Sequence, residues 1–351
     1  MNPRSICLLR LSAIGDTCHV VPLLRALQSA WPAARCTWVI GRAEARLMSL
    51  IPEVEFIIID KRSLWRSMRH LRRALGGRRF DVLLHLQTSL RASLYSTQIR
   101  ARARLGLDRA RARELQWLFT DRGIAPAGNQ HQLDVMLGFA RALGIDPEPL
   151  HWDFPVPAAA REWARAQVPD GAQALLISPC ASFAWRNWTA ARYAAVAAHA
   201  VRRHGLRVIV CGSPSAMERD MATAIEAAAG VPVLNLVGKD TLPQLLALIE
   251  RATVLLAPDS GPAHMATLVS TPVIGLYAAT RTARTGPYLS RAWCVDRYAE
   301  AAQRFRGRRA DQLGWHEDIR AAGVMELIEV GDVTARLDAL LAHPPVLPLA
   351  S

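Results

Sequence analysis

The sequence predicts two doubly wound α/β domains, each a parallel sheet covered by helices on both faces. Three observations carry that reading. Short uninterrupted apolar runs alternate with stretches of helical apolar spacing along both halves of the chain. The alternation breaks in a segment holding four prolines, 145–158, and restarts beyond it. At 351 residues, 51% of them hydrophobic, the chain is long enough for two cores of ordinary size. The expected domains are therefore 1–150 and 151–351, with the cleft between them as the natural binding site.

In the first half, Ser5–Leu11 reads as a buried strand, followed by the turn Ser12-Ala-Ile-Gly-Asp-Thr17 and a helix over Val20–Ala30. Strands follow at Cys36–Ile40, Phe56–Ile59 and Val82–Leu86, with helical stretches at Ser63–Leu75 and Ser89–Ile99. Ala101–Arg113 is dense in arginine, and a helix is expected over His131–Leu143. In the second half the strands are Ala174–Ser178, Val208–Cys211 and Val233–Leu236, and the helices Thr189–His204, Ala216–Ala229 and Thr241–Arg251. A strand–turn–helix–strand unit closes the pattern: Val254–Ala257, the turn Pro258–Gly261, a helix opened by Pro262, and Val273–Leu276. The tail Glu317–Leu341 reads as mostly helical before a proline-rich stub, and its last helical segment is a candidate to pack back on the first domain.

Composition removes several classes. No stretch approaches the roughly 18 apolar residues of a membrane span, and Ile6–Leu11 is too short for a signal peptide, so a cytoplasmic protein is expected. Cys7, Cys18, Cys36, Cys180, Cys211 and Cys294 are scattered without Cys-x-x-Cys spacing, which argues against a zinc site or a disulfide framework. Neither half carries Gly-x-Gly-x-x-Gly or a P-loop, which disfavours dinucleotide oxidoreductases and P-loop NTPases. The net charge is +13, and all but two of the 43 basic residues, Lys61 and Lys239, are arginine. Such a charge favours anionic surfaces. With no zinc-finger, RNA-recognition or basic-zipper pattern, an acidic lipid headgroup is the better candidate than nucleic acid.

Chemistry should sit where strands end and helices begin, because open α/β sheets bind ligands at their carboxyl edge. At Asp259-Ser-Gly-Pro262 the first N–H groups of a helix have no partner inside it, so Ser260 and Gly261 offer donors to an anion. Asp259 and His264 stand beside them. Asp259 reads either as a plain helix cap or as an acid set to bind the hydroxyls of a phosphorylated ligand such as a nucleotide-sugar. The first turn repeats the theme: Gly15 allows close backbone approach, and Asp16 is either a cap or a general base for a substrate hydroxyl. In the loop after Ser178, Ser182 and Arg186 face the expected cleft, where a fixed cation would neutralise a departing diphosphate; solvated surface is the plainer reading of Arg186. Gly212 and Ser213 lie at another strand end and suit a base or ribose, while Glu218 reads equally as first-turn dipole compensation. Thr280 and Thr285, with two arginines in the same loop, are phosphate-donor candidates.

Taken together, Arg10-Leu-Ser-Ala-Ile-Gly-Asp16, Phe80-Asp-Val-Leu-Leu-His-Leu-Gln87, Arg186-Asn-Trp188, Pro258-Asp-Ser-Gly-Pro-Ala-His264, and Leu276-Tyr277 with Thr285-Gly-Pro287 resemble glycosyltransferase family 9, the ADP-heptose:lipopolysaccharide heptosyltransferases of Gram-negative bacteria. The resemblance spans nearly the whole chain. It implies a GT-B fold of two facing Rossmann-like domains, the first binding mainly the acceptor and the second mainly the ADP-sugar. By resemblance, Asp16 is the general base with Gly15 and Gln87 on the acceptor side. Asp259 binds the sugar-nucleotide; Ser260, Gly261 and His264 form the phosphate turn, with Ser182, Gly212 and Thr280 on the same ligand. Arg186 falls where the family often has lysine, and Ser182 where threonine is common. The adenosine-contacting acid is either Glu218 or Asp240. No Asp-x-Asp metal motif stands out and no cofactor is expected, so protein donors would supply the positive charge. The implied partners are ADP-heptose, an anionic lipid-linked oligosaccharide and the cytoplasmic face of the inner membrane, with Arg100, Arg102, Arg104 and Arg109 as lipid-binding candidates. The rival readings are a family-9-like transferase with another donor such as a UDP-sugar, or with a protein acceptor, a sugar-nucleotide epimerase, and a non-catalytic nucleotide-sugar-binding protein.

Overall fold

In the computed structural model, which describes residues 2–345 and 347, the chain forms two compact units, Met1–Pro155 and the segment from Val156 onward. The first unit holds β1 (Ser5–Leu9), β2 (Arg35–Gly41), β3 (Val54–Ile59), β4 (Arg79–His85), β5 (Arg100–Gly106) and β6 (Arg122–Gly123) in the order β3-β2-β1-β4-β5-β6. The second holds β7 (Ala174–Ile177), β8 (Arg207–Val210), β9 (Val233–Asn235), β10 (Val254–Pro258), β11 (Val273–Tyr277) and β12 (Val295–Asp296) in the order β12-β11-β10-β7-β8-β9. Every pairing is parallel. Read from either edge, both sheets have the doubly wound order of a Rossmann-like domain, and the winding reverses between β1 and β4 and again between β7 and β10.

Central strands that are buried on both faces read as continuous apolar runs. Accordingly, the last four residues of β4, all of β7 and all of β10 are buried. Helices cover both faces because each carries one apolar stripe. Ala190–His204 buries Tyr193, Ala194, Val196, Ala197 and Ala200, and ends at Gly205, whose φ of +66° is a left-handed cap that glycine adopts without strain. Trp188, 1% exposed, packs edge-on against Tyr193 and donates its indole N–H to Ile328 O at 3.0 Å. The C-terminal helix Val330–Ala342 packs on Ala190–His204 inside the second unit, where Asp338 Oδ1 lies 2.6 Å from Nε2 of both His199 and His204. All six cysteines are buried and free.

The sequence reading differs from the structure in several places. The arginine-dense stretch at 101–113 begins with a strand, β5, whose alternating Arg-Ala-Arg-Ala pattern hid its place beside β4. Arg104, expected at a lipid surface, is folded inward, donating to Phe119 O, Ile99 O and Ser96 O at 2.8–2.9 Å. Helices Arg42–Met48, Ala158–Gln167 and Tyr298–Arg306 were not separated from their flanking loops. In the tail, only Val324–Leu327 (a 3₁₀ turn) and Val330–Ala342 are helical, because Glu317–Ala321 is drawn along the end of β11 by the Ile319 N–H to Ala279 O bond at 2.8 Å. The proline-rich stub lies largely outside the described residues.

Truncating a large buried aromatic leaves a cavity that the surroundings fill only in part, at about 3–5 kcal/mol for Trp→Ala. Trp188→Ala should therefore lower the urea midpoint of the second unit, followed by far-UV circular dichroism. An unchanged midpoint would refute the core position of this side chain.

Candidate active site

The polar residues singled out at strand ends lie on the carboxyl edge of each sheet, most of them at the two winding reversals and the rest after β8 and β11. In the second unit, the helix Gly261–Leu268 starts directly at the end of β10, with Ser260 as its extended N-cap residue and Pro262 at its second position rather than its first. No side chain caps this helix. The plain reading of Asp259 as a cap is thereby removed: its carboxylate, 6% exposed, turns to other partners. Arg186 Nη1 stands 3.1 Å from Asp259 Oδ2, Thr285 Oγ1 donates to the same oxygen at 3.2 Å, and His264 Nε2 lies 3.7 Å from Oδ1.

Burial, the largest influence on Asp259, pushes its acidity towards the neutral form. His264, the Arg186 charge and Thr280 together prevail and hold the carboxyl below its ordinary range. The acid is thus ionised at neutral pH despite its burial.

Arg186 is positioned from several sides. A 3₁₀ turn, Ala184–Arg186, is closed by Arg186 N–H donating to Phe183 O at 2.9 Å, while Asn187 Oδ1 accepts from Ala181 N–H at 2.7 Å. The guanidinium lies 4.7 Å from the Trp185 ring centre and 5.4 Å from that of Phe183. Its second nitrogen, Nη2, is 3.3 Å from Asp318 Oδ2, and Asp318 Oδ1 accepts from Arg284 Nη2 at 2.8 Å. The result is a chain of four partly or fully buried charges, Asp259–Arg186–Asp318–Arg284. Neither Asp318 nor the part played by Arg284 was found from the sequence. Asp318 lies in an irregular stretch, brought here by the bond from Ile319 N–H to Ala279 O just beyond β11 and by Tyr298 Oη donating to Glu317 O at 2.8 Å.

Several donors around this chain remain uncommitted. Ser260 Oγ, Thr282 Oγ1, Arg186 Nε and Arg284 Nε are buried without a hydrogen-bond partner among the described residues. Buried polar groups are rarely left so, and a cluster of them marks a place for a polar ligand. Thr280, 2% exposed, sits at the exit of β11. Ser182 is exposed in the loop after β7.

The turn after β8 is built differently. Glu218 folds back on it, accepting from Ser213 N–H at 2.7 Å, from the Ser213 hydroxyl and from Ser215 Oγ at 3.4 Å. A Cβ on Gly212 would meet this carboxylate and make the Glu218 side chain shift. Asp240, in the neighbouring loop, has Oδ2 buried without a partner among the described residues. Burial pushes Asp240 up to about 7, opposed by a backbone hydrogen bond and assisted by the Glu218 charge.

In the first unit, Asp16 is the third residue of the helix Ile14–Cys18 and does act within a helix start, accepting from Ala13 N–H at 3.1 Å. Arg10 Nη2 pairs with the same oxygen, Oδ2, at 2.7 Å. Oδ1 has no such contact, and the side chain is 35% exposed. Gln87, at the end of β4, accepts from Leu11 N–H at 2.7 Å, and Arg10 Nη1 donates to Leu86 O at 2.6 Å. Gln87 therefore holds the loop that carries Gly15 and Asp16.

Two Rossmann-like domains with their polar groups at the winding reversals place this protein in the GT-B class of glycosyltransferases. The chain belongs to glycosyltransferase family 9 (heptosyltransferase), whose sequence pattern matches residues 68–314. It is 37% identical over 338 residues to the lipopolysaccharide core heptosyltransferase OpsX of Haemophilus influenzae, covering 96% of this chain and 97% of that one. Among solved structures it resembles the family 9 glycosyl transferase of Veillonella parvula (TM-score 0.80, 20% identity, 97% of both chains). It also resembles the ADP-heptose LPS heptosyltransferase II of E. coli (TM-score 0.73, 21% identity, 97% of this chain and 98% of that one). At these identities the structural likeness shows the fold. Among the described residues no helix is long and apolar enough to cross a membrane.

Asp240 permits a pH test. Between the ordinary carboxylate value of 3.8 and about 7, the folded chain keeps a proton that the unfolded chain has released, so stability falls as pH rises through that window. Asp240→Asn should raise the urea midpoint of the second unit at about pH 8 and leave it unchanged at about pH 4. Equal effects at both would show that Asp240 is not held uncharged.

Proposed function

We propose that this enzyme moves a heptose from ADP-heptose, with inversion at the anomeric carbon, to a hydroxyl of the lipopolysaccharide inner core, on Kdo or on the first heptose. The observation that carries the reading is the set of uncommitted buried donors around Asp259 and Arg186 at a helix start, which suits a diphosphate joined to a hydroxyl-rich sugar. The names of the H. influenzae and E. coli relatives agree with the core acceptor and the ADP-heptose donor. In this scheme the second unit binds the donor and the first unit the acceptor.

The acceptor oxygen forms its bond to the anomeric carbon as the bond from that carbon to the diphosphate oxygen breaks. The acceptor proton passes to Asp16 Oδ1, and the leaving electron pair stays on ADP. The anomeric carbon passes through an oxocarbenium-like state, the same electronic demand as in glycoside hydrolysis. Arg186, with Arg284 behind it, meets the charge growing on the leaving group. Ser260, Gly261 and His264 hold the phosphates from the helix start. Asp259 binds sugar hydroxyls, Thr280 and Ser182 lie on the same ligand, and Gly212 borders the nucleoside beside Glu218 and Asp240. Gly15 and Gln87 shape the acceptor side. The enzyme would work as a peripheral protein on the cytoplasmic face of the inner membrane, without nucleic acid.

Calorimetric titration with ADP, UDP, GDP and ADP-heptose tests the donor: ADP should bind selectively and ADP-heptose at least as well. A preference for UDP, or no nucleotide binding, would overturn the reading. Asp16→Ala should abolish transfer while ADP binding stays near normal; joint loss would mark Asp16 as structural. Arg186→Ala should lower kcat about 10²–10³-fold, as removal of a transition-state donor does elsewhere, with part of the loss recovered in Arg186→Lys.

A further inference from the structure

Large apolar side chains left in water are informative when they form one patch. Of the eight large hydrophobic side chains exposed among the described residues, five lie on the carboxyl edge of the first sheet: Trp65, Leu90, Leu115, Trp117 and Leu118. Trp65, 76% exposed, is in the first turn of the helix that follows β3, and Leu90 opens the helix that follows β4. The other three flank Gln116 in the 3₁₀ turn after β5.

These segments form one continuous rim. Arg91 Nη1 donates to Lys61 O at 2.8 Å, tying the first segment to the second, and Leu90 N–H donates to Glu114 Oε2 at 2.7 Å, tying the second to the third. Gln116 is fully buried and anchors the third by donating to His85 O at 2.8 Å and Gln87 O at 3.1 Å. Gln87 also holds the loop that carries Asp16, so the rim stands beside the proposed base.

Charge on the rim is mainly basic. Arg66, Arg109 and Arg113 are exposed, and Arg109 lies 4.4 Å from the Trp117 ring centre. Arg62 is paired with Asp60, and Glu114, the acid between Arg113 and Leu115, accepts from Leu90 N–H, so that with Arg91 also exposed arginine outnumbers acid on the rim. Exposed tryptophan and leucine interleaved with arginine suit the boundary between headgroups and acyl chains, where aromatic rings settle at headgroup depth and guanidinium groups meet phosphates. A free phosphate would satisfy the arginines and leave Trp65 and Leu118 in water.

We propose that this rim is the membrane-docking surface of the protein, seated on anionic glycerophospholipids so that the edge carrying Asp16 reaches an acceptor held in the bilayer. The inference rests on the lipid-linked acceptor of the proposed function. Of the four arginines that the sequence offers to a lipid surface, Arg109 stands on this rim, while Arg100 and Arg102 lie at the amino end of β5, on the opposite edge, and Arg104 is folded inward.

The test uses the full chain in flotation with vesicles of phosphatidylglycerol and phosphatidylcholine, against phosphatidylcholine alone. Wild type should bind the anionic vesicles, less so as salt rises, and leave the neutral ones. One basic residue near an anionic surface is worth about fivefold in binding, so Arg66→Glu with Arg113→Glu should weaken binding at least about tenfold. Trp65→Ser with Leu118→Ser should weaken it as well, and Arg100→Glu with Arg102→Glu should not. Rim variants should keep wild-type transfer to an acceptor stripped of its acyl chains and lose transfer to one embedded in vesicles. No wild-type binding, or equal losses in rim and amino-edge variants, would overturn the proposal. So would self-association that the rim variants abolish without any change in vesicle binding, which would make the occupant a second copy. Failure of wild type to act on the stripped acceptor would fall on the proposed function itself.

Discussion

The second unit depends on one arrangement of charge: Asp259 and Asp318 alternating with Arg186 and Arg284 at the carboxyl edge of its sheet. Removing two carboxylates and two guanidiniums from water is costly, and removing one partner of a buried pair typically costs 3–5 kcal/mol because it strands the other. The alternation lets each inner charge face two of opposite sign, so the group as a whole is neutral. Its members come from the loop after β7, the end of β10, the loop after β11 and the stretch near Ile319, so forming the network fixes four segments at once. A diphosphate arriving here need not create a cationic site. In the proposed function it competes with Asp318 and Asp259 for guanidiniums already aligned, and the Nε of each arginine, without a partner among the described residues, offers a contact that the carboxylates do not use.

Topology decides why those segments meet. In a parallel sheet every strand delivers its carboxyl end to the same edge, and where the winding reverses, the two connecting loops part in opposite directions and leave a crevice. β1 and β4 do this in the first unit, β7 and β10 in the second. Asp16 and Gln87 follow the first pair, and Arg186 and Asp259 follow the second. The polar residues thus occupy equivalent places in two similar halves, with a carboxylate and an arginine paired in each: Asp16 with Arg10, and Asp259 with Arg186.

How much of this could be read from the sequence depended on whether the cause was local. The β10 unit was legible because its signals are contiguous: an apolar run, a turn of Asp-Ser-Gly, and proline where a helix starts. The doubly wound architecture was legible from apolar periodicity. β5 was not, since a strand near the sheet margin tolerates arginine at alternate positions and its period-2 pattern carries little apolar signal. Asp318 could not be found at all. Its place comes from contacts distant in sequence, the Ile319 N–H to Ala279 O bond and the Tyr298 hydroxyl on Glu317 O, which no local period announces.

Asp16 shows why a structural reading and a chemical reading of one residue can both hold. A carboxylate has two oxygens. Here Oδ2 does the structural part, accepting from Ala13 N–H and pairing with Arg10, and the same two contacts fix the direction of Oδ1. A base must be ionised and held within hydrogen-bond reach of the proton it takes. The Arg10 pair and the backbone bond limit rotation of the group, so the cap supplies the pre-organisation that the proposed base requires. The turn that ends β1 is thus a place where a carboxylate is fixed through one oxygen and left open through the other, which is what the role proposed for Asp16 requires.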